Sequence, residues 1–204
     1  MPPDQPDLFG APPLPVEGLA VRGAMVSPAE EAELIARIDA AGLAPFAFQG
    51  WLGKRMTASF GSGYDYARGA VVDAPPLPDW LLPLRAQMAD WAGLRAEALT
   101  QALVIRYDPG AGIGWHRDRP QYGTVLGLSL GAADTMRLRR RLEGGGFQRF
   151  ALPLRAREAY RLDGPARWEW EHSIAPVESP RWSVTFRTLR GQREKKRAPG
   201  SSPG

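Results

Sequence analysis

The chain has 204 residues, 44% hydrophobic and 24% charged, with two histidines, no cysteine and a formal charge of +4. That length allows one domain with a substantial core, and the lack of cysteine excludes disulfides and thiolate metal sites, so any metal must be held by histidine and carboxylate. Arg190, Arg193, Lys195, Lys196 and Arg197 against Glu194 equal the whole net charge, so the basicity belongs to a tail, predicted disordered over 191–204, and not to a basic body.

The N-terminus has neither the basic nor the apolar region of a signal peptide, and no segment is apolar for long enough to span a bilayer. A soluble, cytoplasmic protein with no membrane partner is expected, and nothing suggests a dimer seam, so a monomer is expected. Residues 1–15 contain six prolines and are predicted to be a flexible leader. Within it, Gln5, Leu8 and Phe9 resemble the peptide with which bacterial replication and repair proteins bind the sliding clamp. The resemblance implies that Gln5 hydrogen-bonds while Leu8 and Phe9 fill apolar pockets; the alternative is a leader whose Leu8 and Phe9 dock on their own domain.

A strand is predicted over 19–26. Ser27-Pro28-Ala29-Glu30 is a capping box with proline at the first helical position. It opens a helix to about Ala41 with Leu34, Ile35, Ile38 and Ala41 buried and Gly42 ending it. Residues 46–66 alternate aromatic, basic and glycine residues, predicting short hairpins with mobile tips. Asp79 is expected to cap a second helix to about Ala92 with Trp80, Leu84, Met88 and Trp91 on one face, closed by Gly93. Short runs over 102–107, 124–130, 136–141, 147–154, 158–162, 167–170 and 182–189, separated by Gly or Pro, predict the strands of a sandwich or jelly roll. No fixed-period repeat is present, so a solenoid is not expected.

The chemistry concentrates after a Gly-rich turn, where Trp115 precedes His116-Arg117-Asp118. Strand residues two apart share a side, so His116 and Asp118 can face one metal. His172, far in sequence at the start of another strand, is the candidate third ligand of a facial triad that would hold non-haem Fe(II) and leave positions open; the alternative is that both histidines are ordinary polar residues. The same donors would accept Ni, Co, Zn or Mn. Farther on, Arg181, Ser183, Thr185 and Arg187 alternate with Trp182, Val184 and Phe186. One face therefore carries two guanidinium groups, which either look at solvent or meet an anion such as a dicarboxylate.

Tyr107, Pro109-Gly110, His116, Asp118, Ser129-Leu130-Gly131, His172 and the 181–187 strand, in this order, resemble the AlkB family of Fe(II)/2-oxoglutarate dioxygenases over about residues 99–190. The resemblance implies an α+β, mainly β fold: a double-stranded β-helix (jelly roll) core over 99–190, with N-terminal helices and a nucleotide-lid-like segment over 16–98. It implies an enzyme using Fe(II), 2-oxoglutarate and O2, with His116, Asp118 and His172 as metal ligands. Arg181 would pair with a 2-oxoglutarate carboxylate, Tyr107 would hydrogen-bond it, Ser183 would line the pocket, and Arg187 would lie near the end that chelates iron.

Ile105 and Ser183 stand where the family often has Asn, implying a retuned co-substrate pocket. Pro120 stands where repair members commonly carry an acidic residue that reads the base. The implied activity is oxidative demethylation of N-alkylated bases in single- or double-stranded DNA or RNA. Alternatives are an oxygenase acting on tRNA or a protein side chain, and a non-catalytic jelly-roll module that binds nucleic acid. A base must leave its stack to reach buried iron. Trp51, Arg55, Phe60, Tyr64 and Tyr66 on the lid, Trp115 opposite them, and Arg139 and Arg141 on phosphates are the expected substrate contacts; the alternative for the lid aromatics is that they close a core beneath the hairpins.

Overall fold

The computed structural model describes residues 14–48, 51–65 and 70–191. Most of the 1–15 leader with Gln5, Leu8 and Phe9, Tyr66, and the tail beyond Gly191 lie outside them, and of the Trp51 and Tyr64 side chains nothing is described. The strand-rich half builds two antiparallel sheets. The larger contains β6 (Leu99–Tyr107), β8 (Tyr122–Gly131), β11 (Glu158–Leu162) and β13 (Arg181–Leu189). Its margins come from the N-terminal residues: β1 (Leu19–Arg22) pairs with β11, and β3 (Trp51–Phe60) with its hairpin partner β2 (Ala44–Phe48) pairs with β6, giving the order β1-β11-β8-β13-β6-β3-β2. The smaller sheet is formed by β7 (Ile113–His116), β9 (Asp134–Arg141), β10 (Phe147–Leu154) and β12 (Glu171–Ile174), in the order β10-β9-β12-β7. β4 (Ser62–Asp65) and β5 (Ala70–Asp73) pair only with each other. This is the mainly β, antiparallel jelly roll expected.

Period-two alternation sends each strand's side chains to two different cores. Ala102, Val104, Leu126, Leu128, Leu130, Val184 and Phe186 share one buried cluster with Leu34 and Ile38 of α1 (Pro28–Asp39) and Leu84 and Met88 of α2 (Leu82–Ala92). Their neighbours Ile105, Tyr107 and Val125 face the smaller sheet and its Met136, Leu138, Leu152 and Ile174. Burying side chains such as Phe186 or Leu128 contributes about 1.5–3 kcal/mol each. The inter-sheet space left by the shorter or polar residues of β13 becomes the site.

The helices start and stop for local reasons. Ser27 Oγ accepts from Glu30 N at 3.2 Å and Glu30 Oε2 accepts from Ser27 N at 2.7 Å, the predicted capping box. Gly93, at φ 69°, closes α2.

Several expectations need correction. The first strand ends at Arg22, since the chain turns through Ala24 at φ 50° to bury Met25 and Val26 under the helices. Asp79 caps nothing: it starts a 3-10 turn that leads into α2. Residues 44–48 and 51–60 pair as a hairpin longer than expected that joins the main sheet through β6, while β4 and β5 form a short one; the tips lie outside the described residues. Residues 167–170 are not a strand; α3 (Gly164–Trp168) ends there, with Asp163 Oδ1 accepting from Gly164 N at 2.8 Å.

Candidate active site

β7 and β12 are hydrogen-bonded neighbours, and their register sets His116 directly across from His172 with ring centroids 4.3 Å apart. The Gly-rich turn makes this possible. A Cβ on Gly112 would lie 2.8 Å from Ile174 O and 2.9 Å from Ala175 O, so only glycine lets the turn press against the end of β12. Gly110 N donates to Val177 O, and Val177 N to Ala111 O, each at 2.8 Å. One ligand strand is thereby stitched to the other.

Asp118 reaches the same spot by another route than strand alternation. β7 ends at His116, and the irregular backbone beyond it is held by Arg167. That guanidinium donates to the carbonyls of Arg119, Tyr122 and Gly123 at 2.7, 2.8 and 2.9 Å. Arg187 then takes the carboxylate, with Nε 2.8 Å and Nη2 2.7 Å from Oδ1, while its Nη1 donates to Gln101 Oε1 at 2.7 Å. Oδ2 is left facing His172 Nε2 at 3.8 Å.

The electrostatics prepare these groups as ligands. Burial pushes the Asp118 carboxyl up, but Arg187 and the two imidazoles outweigh it and hold it well below the usual carboxylate range. Burial, then the neighbouring His116, pushes His172 down to about 3; burial also lowers His116, against the attraction of Asp118. Both rings are therefore neutral, with one lone pair each. His116 Nδ1 lies 2.9 Å from Gly114 O. A carbonyl only accepts, so Nδ1 carries the proton and Nε2 is the free donor atom, as metal-ligating histidines are usually arranged.

Donors at right angles around an ion, each about 2.1 Å away, sit about 3 Å from one another. The 3.8 Å from His172 to Asp118 is wider, and among the described residues no three such side chains already stand close enough to hold an ion. The fit lies in the chemistry of the set: two neutral imidazoles and one ionised carboxylate, brought to one cavity, are donors suited to a divalent metal.

The 181–187 strand points its polar face inward, not at solvent: Arg181 is 1% exposed, and Ser183, Thr185 and Arg187 are also buried. Arg181 Nη2 donates to Ser129 Oγ at 2.9 Å and the guanidinium lies 4.9 Å from the Tyr107 ring, while its Nε and Nη1 have no partner and no contact with solvent. Arg181 lines the cavity, and a buried cation with two unmet N–H groups is suited to a carboxylate. Tyr107, Ser183, Ile105 and Pro120 line the same cavity of about 830 Å³, together with His116, Asp118 and His172.

Of the expected substrate contacts, Arg55 and Trp115 line this cavity. Phe60 does not. Its register opposite Ala102 turns it to the helix-side core, because strand pairing and not lid geometry decides its direction. Arg139 and Arg141 line an adjacent groove, not the cavity.

Several lining residues escaped the sequence reading, among them Arg117, Arg119, Arg167, Trp168 and Tyr160. Trp168, 37% exposed, stands at the cavity between Arg167 and Arg190 at 4.3 and 4.9 Å. Tyr160 lies against Gly127, whose added Cβ would fall inside its ring; burial and Asp118 push its hydroxyl up to about 12. The signal for Tyr160 was a lone glycine in the bulky 124–130 run, which marks a close approach.

Comparisons bear on this geometry. The fold is similar to that of OsALKBH1, with a TM-score of 0.64 and 15% identity over 84% of this chain and 96% of that one. It is also similar to a Pseudomonas putida prolyl-4-hydroxylase, with a TM-score of 0.52 and 20% identity over 85% and 93%. No curated protein matches significantly. The sequence model of the 2OG-Fe(II) oxygenase superfamily matches residues 25–197, which include the smaller sheet, every strand of the larger sheet except β1, and every residue of the cavity. This chain therefore belongs to the 2OG-Fe(II) oxygenase superfamily and is a dioxygenase that uses Fe(II), 2-oxoglutarate and O2.

Proposed function

We propose that the enzyme oxidatively demethylates N-alkylated nucleobases in DNA or RNA, with His116, Asp118 and His172 as iron ligands and Arg181, Tyr107 and Ser183 holding 2-oxoglutarate. The observation that carries the substrate class is the cavity rim. Trp115 and Trp168 stand there with Arg55, Arg117 and Arg119, offering flat stacking surfaces between cations to a base taken out of its stack. Pro120, which also lines the cavity, has no side-chain hydrogen-bond acceptor at a position where an acidic side chain would read the base. Stacking, and not an acidic contact there, is therefore what selects the substrate.

Bound iron with 2-oxoglutarate and O2 supplies oxidation of a C–H bond coupled to decarboxylation of 2-oxoglutarate to succinate and carbon dioxide. One oxygen atom enters succinate and the other becomes the hydroxyl of an N–CH2–OH group, which releases formaldehyde and returns the N–H base. The protein's share is placement. Arg181 neutralises and orients the co-substrate carboxylate. Arg187 keeps Asp118 ionised and aimed, and Gly114 O fixes the His116 tautomer. Trp115 and Trp168 keep the target methyl over the ligands and limit water.

The test is stoichiometry. With Fe(II), 2-oxoglutarate and oligonucleotides carrying 1-methyladenine or 3-methylcytosine, equal amounts of succinate, formaldehyde and unmodified base are expected. Succinate without formaldehyde or restored base, with iron bound, overturns the substrate assignment.

A further inference from the structure

Outside the cavity, the solvent side of the smaller sheet carries a concentration of charge that the fold does not neutralise. Alternation on β9 turns Arg137, Arg139 and Arg141 to that side, and β10 adds Arg149 directly opposite Arg139. Like charges across a strand pair destabilise the sheet. The only carboxylate that β12 brings to this face is Glu171, 2.6 Å from Arg139. Arg137 meets Ser173 Oγ at 3.1 Å, and among the described residues Arg141 and Arg149 have no ion-pair partner. Four arginines against one glutamate stand out on a chain whose net charge is otherwise confined to its tail.

The arginines are also ordered. The Arg139 guanidinium lies 4.4 Å from the Trp115 ring and 4.5 Å from the Phe147 ring. Arg137 and Arg149 flank the same two rings at 5.4 and 5.6 Å. The result is a ladder of alternating cation and aromatic side chains across the sheet. Rings against the flat guanidinium faces hold these side chains out and leave their N–H edges free to fork onto anions. Arg137, Arg139 and Arg141 recur every second residue, about 7 Å apart, a spacing suited to successive anions on a chain. The groove of about 450 Å³ beside them shares Arg117 and Glu171 with the cavity wall, and the ladder ends on Trp115, next to His116.

We propose that this outer face binds the phosphodiester backbone of nucleic acid and leads the strand to the cavity mouth. The inference rests on the nucleic-acid reading above and adds a second, base-independent contact surface to it. Phosphates neutralise the arginine repulsion, while the Trp115 end sets how far along the strand the target base lies. Regular spacing and continuity with the stacking rim favour nucleic acid over an acidic protein.

The test is the salt dependence of binding of a short, labelled single-stranded oligonucleotide to the full chain by fluorescence anisotropy. Replacing Arg137, Arg141 and Arg149 together by Gln is expected to reduce the slope of log K against log salt by roughly 0.7 per arginine, about 2 in all. The corresponding Lys variant is expected to keep the slope, since charge is retained, and unchanged thermal unfolding certifies the fold of both. A Gln variant with the wild-type slope, or a Lys variant that loses it, overturns the proposal. So does a labelled poly-glutamate that binds the wild type as tightly as the oligonucleotide. Demethylation by a Gln variant with the wild-type slope removes the surface and leaves the reaction standing; the predicted slope change without demethylation of any alkylated base keeps the surface and removes the reaction.

Discussion

Arg181→Met should make the empty protein more stable and the enzyme worse at once. Arg181 is 1% exposed, and two of its guanidinium nitrogens have neither partner nor solvent. Each unmet buried donor costs about 1–3 kcal/mol, and methionine of similar length has none. The loss of the 2.9 Å bond to Ser129 offsets about 1 kcal/mol, leaving a net gain of about 1–5 kcal/mol for the two donors together. At about 2–4 °C per kcal/mol for a chain of this size, Tm without ligand should rise by roughly 2–20 °C. With 2-oxoglutarate the sign reverses. A forked carboxylate contact of two charge-assisted bonds, at about 1.5–3 kcal/mol each, is lost, so KM for 2-oxoglutarate should rise about 100-fold or more. Thermal melts with and without 2-oxoglutarate, under inert Mn(II), together with succinate kinetics, measure both halves. A variant that is less stable without ligand, yet binds 2-oxoglutarate as well as the wild type, would refute the reasoning, because Arg181 would then be a structural residue and not a carboxylate receptor.

Arg187→Met removes the one arginine among the described residues that directly meets the carboxylate of Asp118 and should destabilise the fold by about 3–5 kcal/mol. Metal affinity should fall about 10–100-fold, as for other groups that orient a ligand; denaturant unfolding and metal titration at wild-type values would contradict this. Phe60→Leu should cost about 1 kcal/mol of stability and leave KM for an alkylated oligonucleotide unchanged. Trp115→Ala should raise that KM about ten-fold, through loss of about 1–3 kcal/mol of stacking; equal kinetic effects would show that Phe60 does reach the substrate.

The metal-free protein should also lose stability in acid. His172 stays neutral in the fold down to about 3, whereas the unfolded chain protonates it near pH 6.5. Between those values the unfolded state binds more protons, so stability falls as pH drops from about 6.5 toward 3. Denaturant midpoints should follow this trend in the wild type and be flatter in His172→Phe; parallel curves would contradict it.

Much of the site was legible because β13 obeys strict alternation. Arg181, Ser183, Thr185 and Arg187 could be assigned to one face from sequence, though only the pairing with β6 and β8 decides that this face is interior. Asp118 lies in the cavity beside both histidines, but not by the strand alternation expected: β7 ends at His116, and Arg187 and the Arg167-pinned backbone place the carboxylate, through long-range bonds not written near it in sequence. Phe60 follows the core reading and not the substrate one, and the two could not be separated in sequence because an aromatic residue in a Gly-rich hairpin carries no mark of its partner strand. The helix at Gly164–Trp168 was readable: Asp163-Gly164-Pro165 is a cap followed by a helix-starting proline, but the aromatic run after it outweighed that signal. The Trp115 ladder needs three strands in register, which periodicity within one segment cannot supply.

The central claim is that His116, Asp118 and His172 form one iron site completed by 2-oxoglutarate on Arg181. The most direct measurement is anaerobic titration with Fe(II) and 2-oxoglutarate, following the visible metal-to-ligand charge-transfer band. The wild type should develop the band and saturate at one iron per chain, His172→Ala should not, and Arg181→Met should need far more 2-oxoglutarate to reach it. A His172→Ala variant that folds normally and gives the wild-type band at the same stoichiometry would contradict the account.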